Sequence, residues 1–106
     1  MNKLEIMGRL TKDVELKESK KGTKYVNFTL AVPRKSDKEQ TDFIECIVFG
    51  SLAEVIVKYV EKGNRLIVEG ELNIDTYEDK DGKLQKQVKC IVNDFYFVDF
   101  KKELHK

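Results

Sequence analysis

The sequence predicts an all-β domain with one helix: a five-stranded barrel in which the helix lies between strands 3 and 4. Most of the 106-residue chain alternates apolar and polar residues with a period of two, which is typical of strands. One segment, 51–63, instead has apolar residues at helical spacing. The dipeptide Asp81-Gly82 is typical of a hairpin turn, because glycine supplies a positive φ. We expect a single domain over residues 1–100 and a frayed tail over 101–106.

The first two predicted strands alternate clearly. Positions 4, 6 and 8 face the core, and the pattern resumes at Val14 and Leu16 after a polar interruption, so the first strand is expected to be bent or interrupted. The residues predicted to face inward in the second strand are Val26, Phe28, Leu30 and Val32. Pro33 ends that strand because proline cannot donate to a strand ladder, and 34–41 is a polar loop.

The third predicted strand is apolar on both faces. Ile44, Cys46 and Val48 point one way, whereas Phe43, Ile47 and Phe49 point the other, with only Glu45 to mark a solvated side. An antiparallel strand with one solvated face normally alternates apolar and polar residues. The second face of this strand therefore needs a ligand or a partner.

The single helix and a long hairpin complete the barrel. Ser51 is predicted to be the N-cap, with Glu54 completing a capping box and Gly63 as the C-cap. The apolar positions of the helix are Leu52, Val55, Ile56, Tyr59 and Val60. The alternating apolar positions of the hairpin are Leu66, Val68, Leu72 and Ile74 in one arm and Leu84, Val88, Cys90 and Val92 in the other. Gly70 is typical of a bulge that lets a small barrel curl.

Five strands with one helix between the third and the fourth is the arrangement of the OB-fold barrel. The alternative from pattern alone is a generic small β-barrel without a ligand.

Composition argues against several classes of protein. With 20 Lys and Arg against 19 Asp and Glu, bulk charge cannot hold the chain to nucleic acid or to an anionic membrane. There is neither a signal peptide nor a run of about 20 apolar residues, so we expect a cytoplasmic protein with no membrane partner. Cys46 and Cys90 lie far apart in apolar runs and the single histidine is His105, so we expect buried thiols, no metal, no cofactor and no enzyme activity.

Aromatic and basic residues fall on the side opposite the predicted core. Phe43 and Tyr77 are the better candidates for stacking on bases, whereas Phe49 either stacks or covers the end of the barrel. The basic residues predicted to contact phosphates are Lys3, Arg9, Arg34, Lys35 and Lys62. Phe28 and Phe97 are assigned to packing, Tyr59 favours packing, and Tyr25 lies on the outer side without an assigned role. No segment resembles a recognition helix, so single strands are favoured over duplexes.

Four segments carry a family resemblance: MNKLEIMGRLTKDVEL, VNFTLAVPR, TDFIECIVFGSLAEVIVKYVEKGNRLIVEGEL and TYEDKDGKLQ. Together they resemble the bacterial-type single-stranded DNA-binding proteins, including phage and mobile-element relatives, over residues 1 to about 100. The resemblance implies a non-catalytic protein that coats single-stranded DNA in replication, recombination and repair, usually as a homotetramer. By position it implies that Phe43, Tyr77 and Phe49 contact bases and that Lys3 and Lys62 occupy basic positions.

The sequence departs from this family pattern in three respects. It has no tryptophan, so stacking falls to phenylalanine and tyrosine, whose smaller π-faces predict weaker binding. The loop after the second strand lacks an aromatic residue, and Arg34 or Lys35 is expected to hold phosphate there. The acidic-apolar tip of longer relatives is absent, which indicates a shortened chain or a tail-less variant and gives no basis for recruiting replication proteins through such a tip.

Two classes of function stay open. The first is sequence-tolerant binding and protection of single-stranded DNA, and the second is an OB-fold protein-interaction module of a replication assembly with incidental nucleic-acid binding. Apolar residues out of core register, namely Met7, Ile47, Ile67 and Ile91, indicate self-association, as a homotetramer or a dimer. The preference for DNA over RNA rests on the resemblance, because stacking and phosphate contacts do not sense a 2′-hydroxyl.

Overall fold

A computed structural model describes residues 1–102 and shows six strands and one helix. The elements are β1 (Leu4–Leu10), β2 (Lys17–Glu18), β3 (Lys24–Pro33), β4 (Thr41–Phe49), α1 (Ser51–Tyr59), β5 (Arg65–Glu78) and β6 (Leu84–Phe97). The short β2 pairs with the start of β3 and continues the interrupted first strand. The other five strands therefore form the barrel, with α1 between its third and fourth strands as predicted.

The strands close into one barrel. Their order in the sheet is β1-β5-β6-β4-β3-β2, and an additional pairing of β1 with β3 joins the two ends. The β4–β6 pairing is parallel, and the other pairings are antiparallel. This closed sheet with one helix confirms the predicted OB-fold barrel.

The barrel interior is filled by the alternating apolar residues of the strands. Val26, Leu30, Val48, Leu66 and Val68 are fully buried, and Phe28 is buried beside them, as the alternation predicts. Fully burying a side chain of this size contributes about 1.5–3 kcal/mol. Phe97 is half-buried and packs against this core. Its ring centroid lies 5.5 Å from that of Tyr59, which assigns both rings to packing.

The helix begins differently from the prediction. Gly50, not Ser51, is the N-cap, and its φ of 70° favours glycine because a Cβ is disfavoured there. No side chain caps the helix, so the predicted capping box is wrong. The backbone of Val60, not Gly63, ends the helix. The N–H of Gly63 instead donates to the carbonyl of Leu10, which fastens the following turn to β1.

The buried face of α1 also differs from the predicted one. Ala53, Ile56 and Val60 are buried against the barrel end, at the three- and four-residue spacing of a helix face. Val55 was expected to face the core but is exposed. Successive residues are rotated by about 100° around a helix, so burying Ile56 turns Val55 towards solvent.

Gly70 lies at a bulge, as predicted. The register of β5 against β6 shifts between Glu69 and Gly70, where the barrel strand becomes the hairpin arm. A Cβ at position 70 would collide with the carbonyl oxygen of Ile91 and lie 3.0 Å from the sulfur of Cys90. Glycine is therefore required by close approach of the neighbouring strand.

Beyond this bulge the hairpin extends past the barrel. Four apolar residues keep the inward register but are exposed: Leu72, Ile74, Leu84 and Val88. The alternation of the hairpin predicted the side of the strand on which they lie but not their exposure. The reason is that the hairpin outruns β1 and β4, whose pairings end at Gly70 and Lys89, so neither strand covers these side chains.

The two cysteines are adjacent in space. Cys46 and Cys90 are register partners in the parallel β4–β6 pairing, and both are buried free thiols, which confirms the prediction. Burial raises the pKa of both thiols. They therefore stay protonated and serve as small apolar residues.

An ion pair joins the start of β5 to the segment that follows β6. The guanidinium of Arg65, at the start of β5, donates from Nε to Oδ2 of Asp99 at 3.0 Å and from Nη2 to Oδ1 at 3.1 Å. The Arg65 guanidinium lowers the pKa of Asp99 to about 2. The backbone N–H of Lys101 donates to the carbonyl of Tyr59, and residues 103–106 of the predicted tail, with His105, lie outside the described residues.

Replacing Gly70 with alanine is expected to destabilise the domain by about 3 kcal/mol, because the collision is with backbone and cannot be relieved by a rotamer change. Urea unfolding followed by circular dichroism measures this loss. Glu71→Ala, at the next and exposed position, is the matched control and should change stability by less than about 0.5 kcal/mol. Equal stability of Gly70→Ala and Glu71→Ala would contradict the close approach.

Replacing Asp99 with asparagine is expected to lower stability at neutral pH but not in strong acid. The carboxyl has an ordinary pKa of 3.8 in the unfolded chain and about 2 when folded, so its contribution is present above pH 3.8 and is lost as the pH falls through 2. Urea midpoints of both proteins between about pH 6 and pH 2 should therefore converge. Asp81→Asn, at the hairpin tip, controls for loss of one surface carboxylate, and a pH-independent difference for Asp99→Asn would contradict the ion pair.

Candidate nucleic-acid interface

The side chains that point away from the core on four strands form one continuous surface, here called the outer face. The strands are joined in register across this surface by the β3–β4, β4–β6 and β5–β6 pairings. Its members are Tyr25, Asn27, Thr29 and Ala31 on β3, Phe43, Glu45, Ile47 and Phe49 on β4, Gln85, Gln87, Lys89 and Ile91 on β6, and Glu71, Asn73, Asp75 and Tyr77 on β5.

Two phenylalanines mark the ends of the β4 row. Phe43 is 67% exposed and Phe49 is 45% exposed, which is unusual for rings of this size. Phe49 lies six positions after Phe43, so the two rings stand about 20 Å apart along the strand. Ile47 is half-buried between them, opposite Asn27 and Ile91.

Phe49 has an aromatic neighbour that sequence reasoning left without a role. Tyr25 is its cross-strand partner on β3, and the ring centroids lie 6.3 Å apart with the planes tilted by 44°. The tilted pair presents two π-faces at one end of the outer face. The outward register of Tyr25 in β3 could have identified it as part of this surface from the sequence alone.

Tyr77 reaches the same surface from the hairpin. It is 52% exposed, and its cross-strand partner is Gln85, which places it on the outer face and not beside Leu84. The alternation of the hairpin thus separates Tyr77 from the exposed apolar residues of the inner side. The structure brings Phe43, Phe49 and Tyr77 onto one side of the barrel.

Asp79 organises the hairpin tip two residues after Tyr77. Its Oδ1 accepts from the N–H groups of Asp81 and Lys83, both at 2.9 Å, and its Oδ2 accepts from the amide of Gln85 at 2.9 Å. The Gln85 amide, followed by the Lys83 N–H, lowers the pKa of this carboxyl. Sequence reasoning missed Asp79, although an Asp two residues before an Asp-Gly turn is a recognisable Asx-turn signal.

Polar side chains occupy the centre of the outer face. The amide of Gln87 donates to Oε2 of Glu45 at 3.3 Å, and the ammonium of Lys89 lies 3.8 Å from Oδ2 of Asp75. Glu45 and Lys89 are also cross-strand partners. Carboxylates thus lie between the aromatic residues of the two strands.

A groove of about 530 Å³ runs along one border of this surface. The segment 11–17 forms its wall, and Thr29, Glu45 and Lys89 of the outer face lie on the other side. Lys12 and Lys17 bring two cations to the wall that sequence reasoning did not single out. The sequence pattern gave little indication of these two lysines, because they stand in an irregular segment among acidic residues.

Comparison with known proteins agrees with this geometry. The model of the single-strand binding protein family matches residues 1–98. The chain belongs to the single-strand binding protein family.

Several relatives of the family share most of the chain. A single-stranded DNA-binding protein of Clostridium perfringens is 43% identical over 100 residues, covering 93% of this chain and 67% of that protein. The single-stranded DNA-binding proteins 2 and 1 of Clostridium acetobutylicum are 38% and 34% identical. Each covers 97% of this chain, which corresponds to 80% of protein 2 and 98% of protein 1.

The basic residues predicted from the sequence are spread over different parts of this single-strand binding protein. Lys35 is exposed in the loop before Phe43, and the backbone N–H of Lys62 donates to Asp13 Oδ1 at 2.8 Å beside the groove wall. Lys3 and Arg9 instead belong to the β1 side, and β1 pairs with neither β4 nor β6. Arg9 donates from Nη1 to the carbonyl of Gly63 at 3.0 Å.

Arg34 is held by an acidic neighbour. Its Nε and Nη2 donate to the carboxylate of Asp42 at 3.1–3.2 Å, and this contact raises the pKa of Arg34. Both side chains are about half exposed, so the pair is open to solvent and to an incoming anion. Asp42 directly precedes Phe43 in the sequence.

Residues 1–102 show neither a membrane-spanning helix nor a cluster of metal ligands. No helix in this range is long and apolar enough to cross a membrane. The same residues contain no group of three or more His, Cys, Asp or Glu side chains placed to hold a metal ion.

Proposed function

We propose that the chain binds and protects single-stranded DNA without sequence preference, as a non-catalytic protein of replication, recombination and repair. The observation that carries the proposal is the presence of three exposed aromatic rings on one side of an OB-fold barrel that belongs to the single-strand binding protein family. The matched relatives from both Clostridium species are named single-stranded DNA-binding proteins.

Phe43, Tyr77 and Phe49 are the proposed stacking residues. Every base has a π-face, so stacking on an aromatic ring is tolerant of sequence and is worth about 1–3 kcal/mol per base. The exposed rings of Phe43 and Tyr77 have free faces, whereas buried Phe28 does not. Tyr25 extends the platform beside Phe49.

The proposed phosphate contacts are Lys3, Arg9, Arg34, Lys35 and Lys62, with Lys12 and Lys17 added by the groove wall. A formal net charge of +1 means that attraction depends on local cations and not on the whole molecule. Each neutralised phosphate steepens the fall of affinity with salt. The fall of affinity with salt concentration is therefore expected to correspond to only a few phosphate contacts.

Self-association is proposed through the open edge of β1 and the apolar side chains of Met7 and Ile67, and not through Lys3 and Arg9. Met7 is half exposed and lies opposite Ile67 of β5, both out of core register. Residues 4–8 of β1 pair with β5 alone, so one edge of this strand is open to a second copy. A homotetramer, as the family resemblance implies, or a dimer would bury these residues.

Phe43→Ala and Tyr77→Ala are each expected to weaken binding of oligo(dT) by about 5- to 150-fold, the equivalent of about 1–3 kcal/mol. The fluorescence anisotropy of a labelled oligonucleotide at low salt measures the affinity. Both variants should keep the wild-type unfolding midpoint, because both rings are largely exposed.

Leu84→Ala is the matched control for this experiment. Leu84 is 75% exposed on the same hairpin as Tyr77 but points to the opposite side. Its loss should leave the affinity unchanged. Wild-type affinity in both Phe43→Ala and Tyr77→Ala would contradict the stacking assignment and favour a protein-interaction module.

A further inference from the structure

Two carboxylates stand within the proposed stacking surface. Glu45 is two residues after Phe43 on β4, and Asp75 is two residues before Tyr77 on β5, so each lies about 7 Å from an aromatic residue on the same side of its strand. Both acidic residues are exposed. A surface that binds a polyanion would ordinarily carry cations at such positions.

The charge at the centre of the outer face is net negative. Lys89 is the single cation between these residues; its ammonium lies 3.8 Å from Asp75, and its cross-strand partner is Glu45. Gln87 donates an amide hydrogen to Glu45 and contributes no charge. Two carboxylates against one ammonium, with exposed Glu71 further along the same side of β5, leave an excess of negative charge.

Three of the cations proposed to hold phosphates lie beside this centre and not within it, whereas Lys3 and Arg9 belong to the β1 side. Lys12 and Lys17 stand on the groove wall, and Lys35 is in the loop before β4. Aromatic rings and carboxylates thus occupy the middle of the surface, and the lysines of the groove wall stand beside Asp13 and Glu15. Such a surface accepts a strand whose bases face the protein and whose phosphates lie at the border.

We propose that Glu45 and Asp75 are specificity-determining residues, which exclude phosphates from the centre of the outer face and thereby select unpaired strands over duplexes. A duplex keeps its bases stacked inside and presents phosphates, which meet like charge at Glu45 and Asp75. A single strand turns its bases inward, and base N–H groups donate to carboxylate oxygens. The proposal rests on the proposed single-strand binding and assigns its selectivity.

The test compares Glu45→Gln, Asp75→Asn and the double variant with the wild-type protein. Affinities for oligo(dT) and for a blunt duplex of the same length are measured by anisotropy at several salt concentrations. Each substitution removes one charge and nearly preserves shape. Duplex affinity is expected to rise about fivefold per carboxylate removed, as for loss of one like-charge contact in water, whereas oligo(dT) affinity changes much less.

Glu69→Gln is the matched control. Glu69 lies on β5 six residues before Asp75, about 20 Å away along the strand, and its substitution changes the net charge by the same amount. This distance exceeds the Debye length at moderate salt. Glu69→Gln is therefore expected to leave the ratio of single-strand to duplex affinity unchanged.

Two outcomes would overturn the proposal. If the ratio of single-strand to duplex affinity is unchanged in the double variant, these carboxylates do not determine selectivity. If Glu69→Gln shifts the ratio equally, the effect is one of net charge alone. Phe43→Ala, measured in the same series, separates this failure from failure of the proposed function. If Phe43→Ala weakens oligo(dT) binding while the affinity ratio of the double variant is unchanged, only the selectivity proposal is contradicted.

Discussion

The parallel pairing of β4 with β6 joins the β3–β4 half of the outer face to the β5–β6 half, and the site depends on it. Residues Glu45, Cys46 and Ile47 of β4 stand beside Lys89, Cys90 and Ile91 of β6, so the two strands share both an inner and an outer side. The buried thiols fill the inner side, and Gly70 lets β5 approach Ile91 closely at the same level. Because β6 continues into the hairpin, this pairing sets Tyr77 on the same side as Phe43.

The chemistry of the outer face follows from this arrangement. Rings stand at its ends and on the hairpin, acidic and amide groups lie between them, and lysines stand along the groove wall. On such a surface, affinity comes from stacking, whereas charge determines the orientation of the bound DNA and the choice between single strands and duplexes. The almost balanced charge of the chain is consistent with these separate roles, because a large positive net charge would attract duplexes as readily as single strands.

The residues that sequence reasoning placed correctly are those whose environment is set by neighbours along the strand. The outward register of Phe43 and the bulge at Gly70 follow from alternation and from the lack of a side chain. Leu72 and Val88 alternate in the same way, but their exposure depends on where the neighbouring strands stop, which local pattern does not encode. The ion pair of Arg34 with Asp42 likewise depends on how the intervening loop folds back.

The helix shows the same limit at its ends. Ser51 and Glu54 match a capping pattern, yet the turn out of β4 requires a positive φ that Gly50 supplies, and this moves the helix start by one residue. Glu54 is instead held by the ammonium of Lys24 at 2.9 Å. Tertiary geometry therefore overrode a local signal, while the existence and position of the helix were predictable from its spacing.

Photo-crosslinking of a short oligo(dT) containing 5-iodouracil, followed by mass spectrometry of the peptides, tests most directly whether DNA lies on the outer face. Crosslinks are predicted at Phe43 and Tyr77, with Phe49 or Tyr25 joining them as the oligonucleotide is lengthened. Crosslinks confined to the β1 side, or to the hairpin side that carries Leu84, would contradict the account.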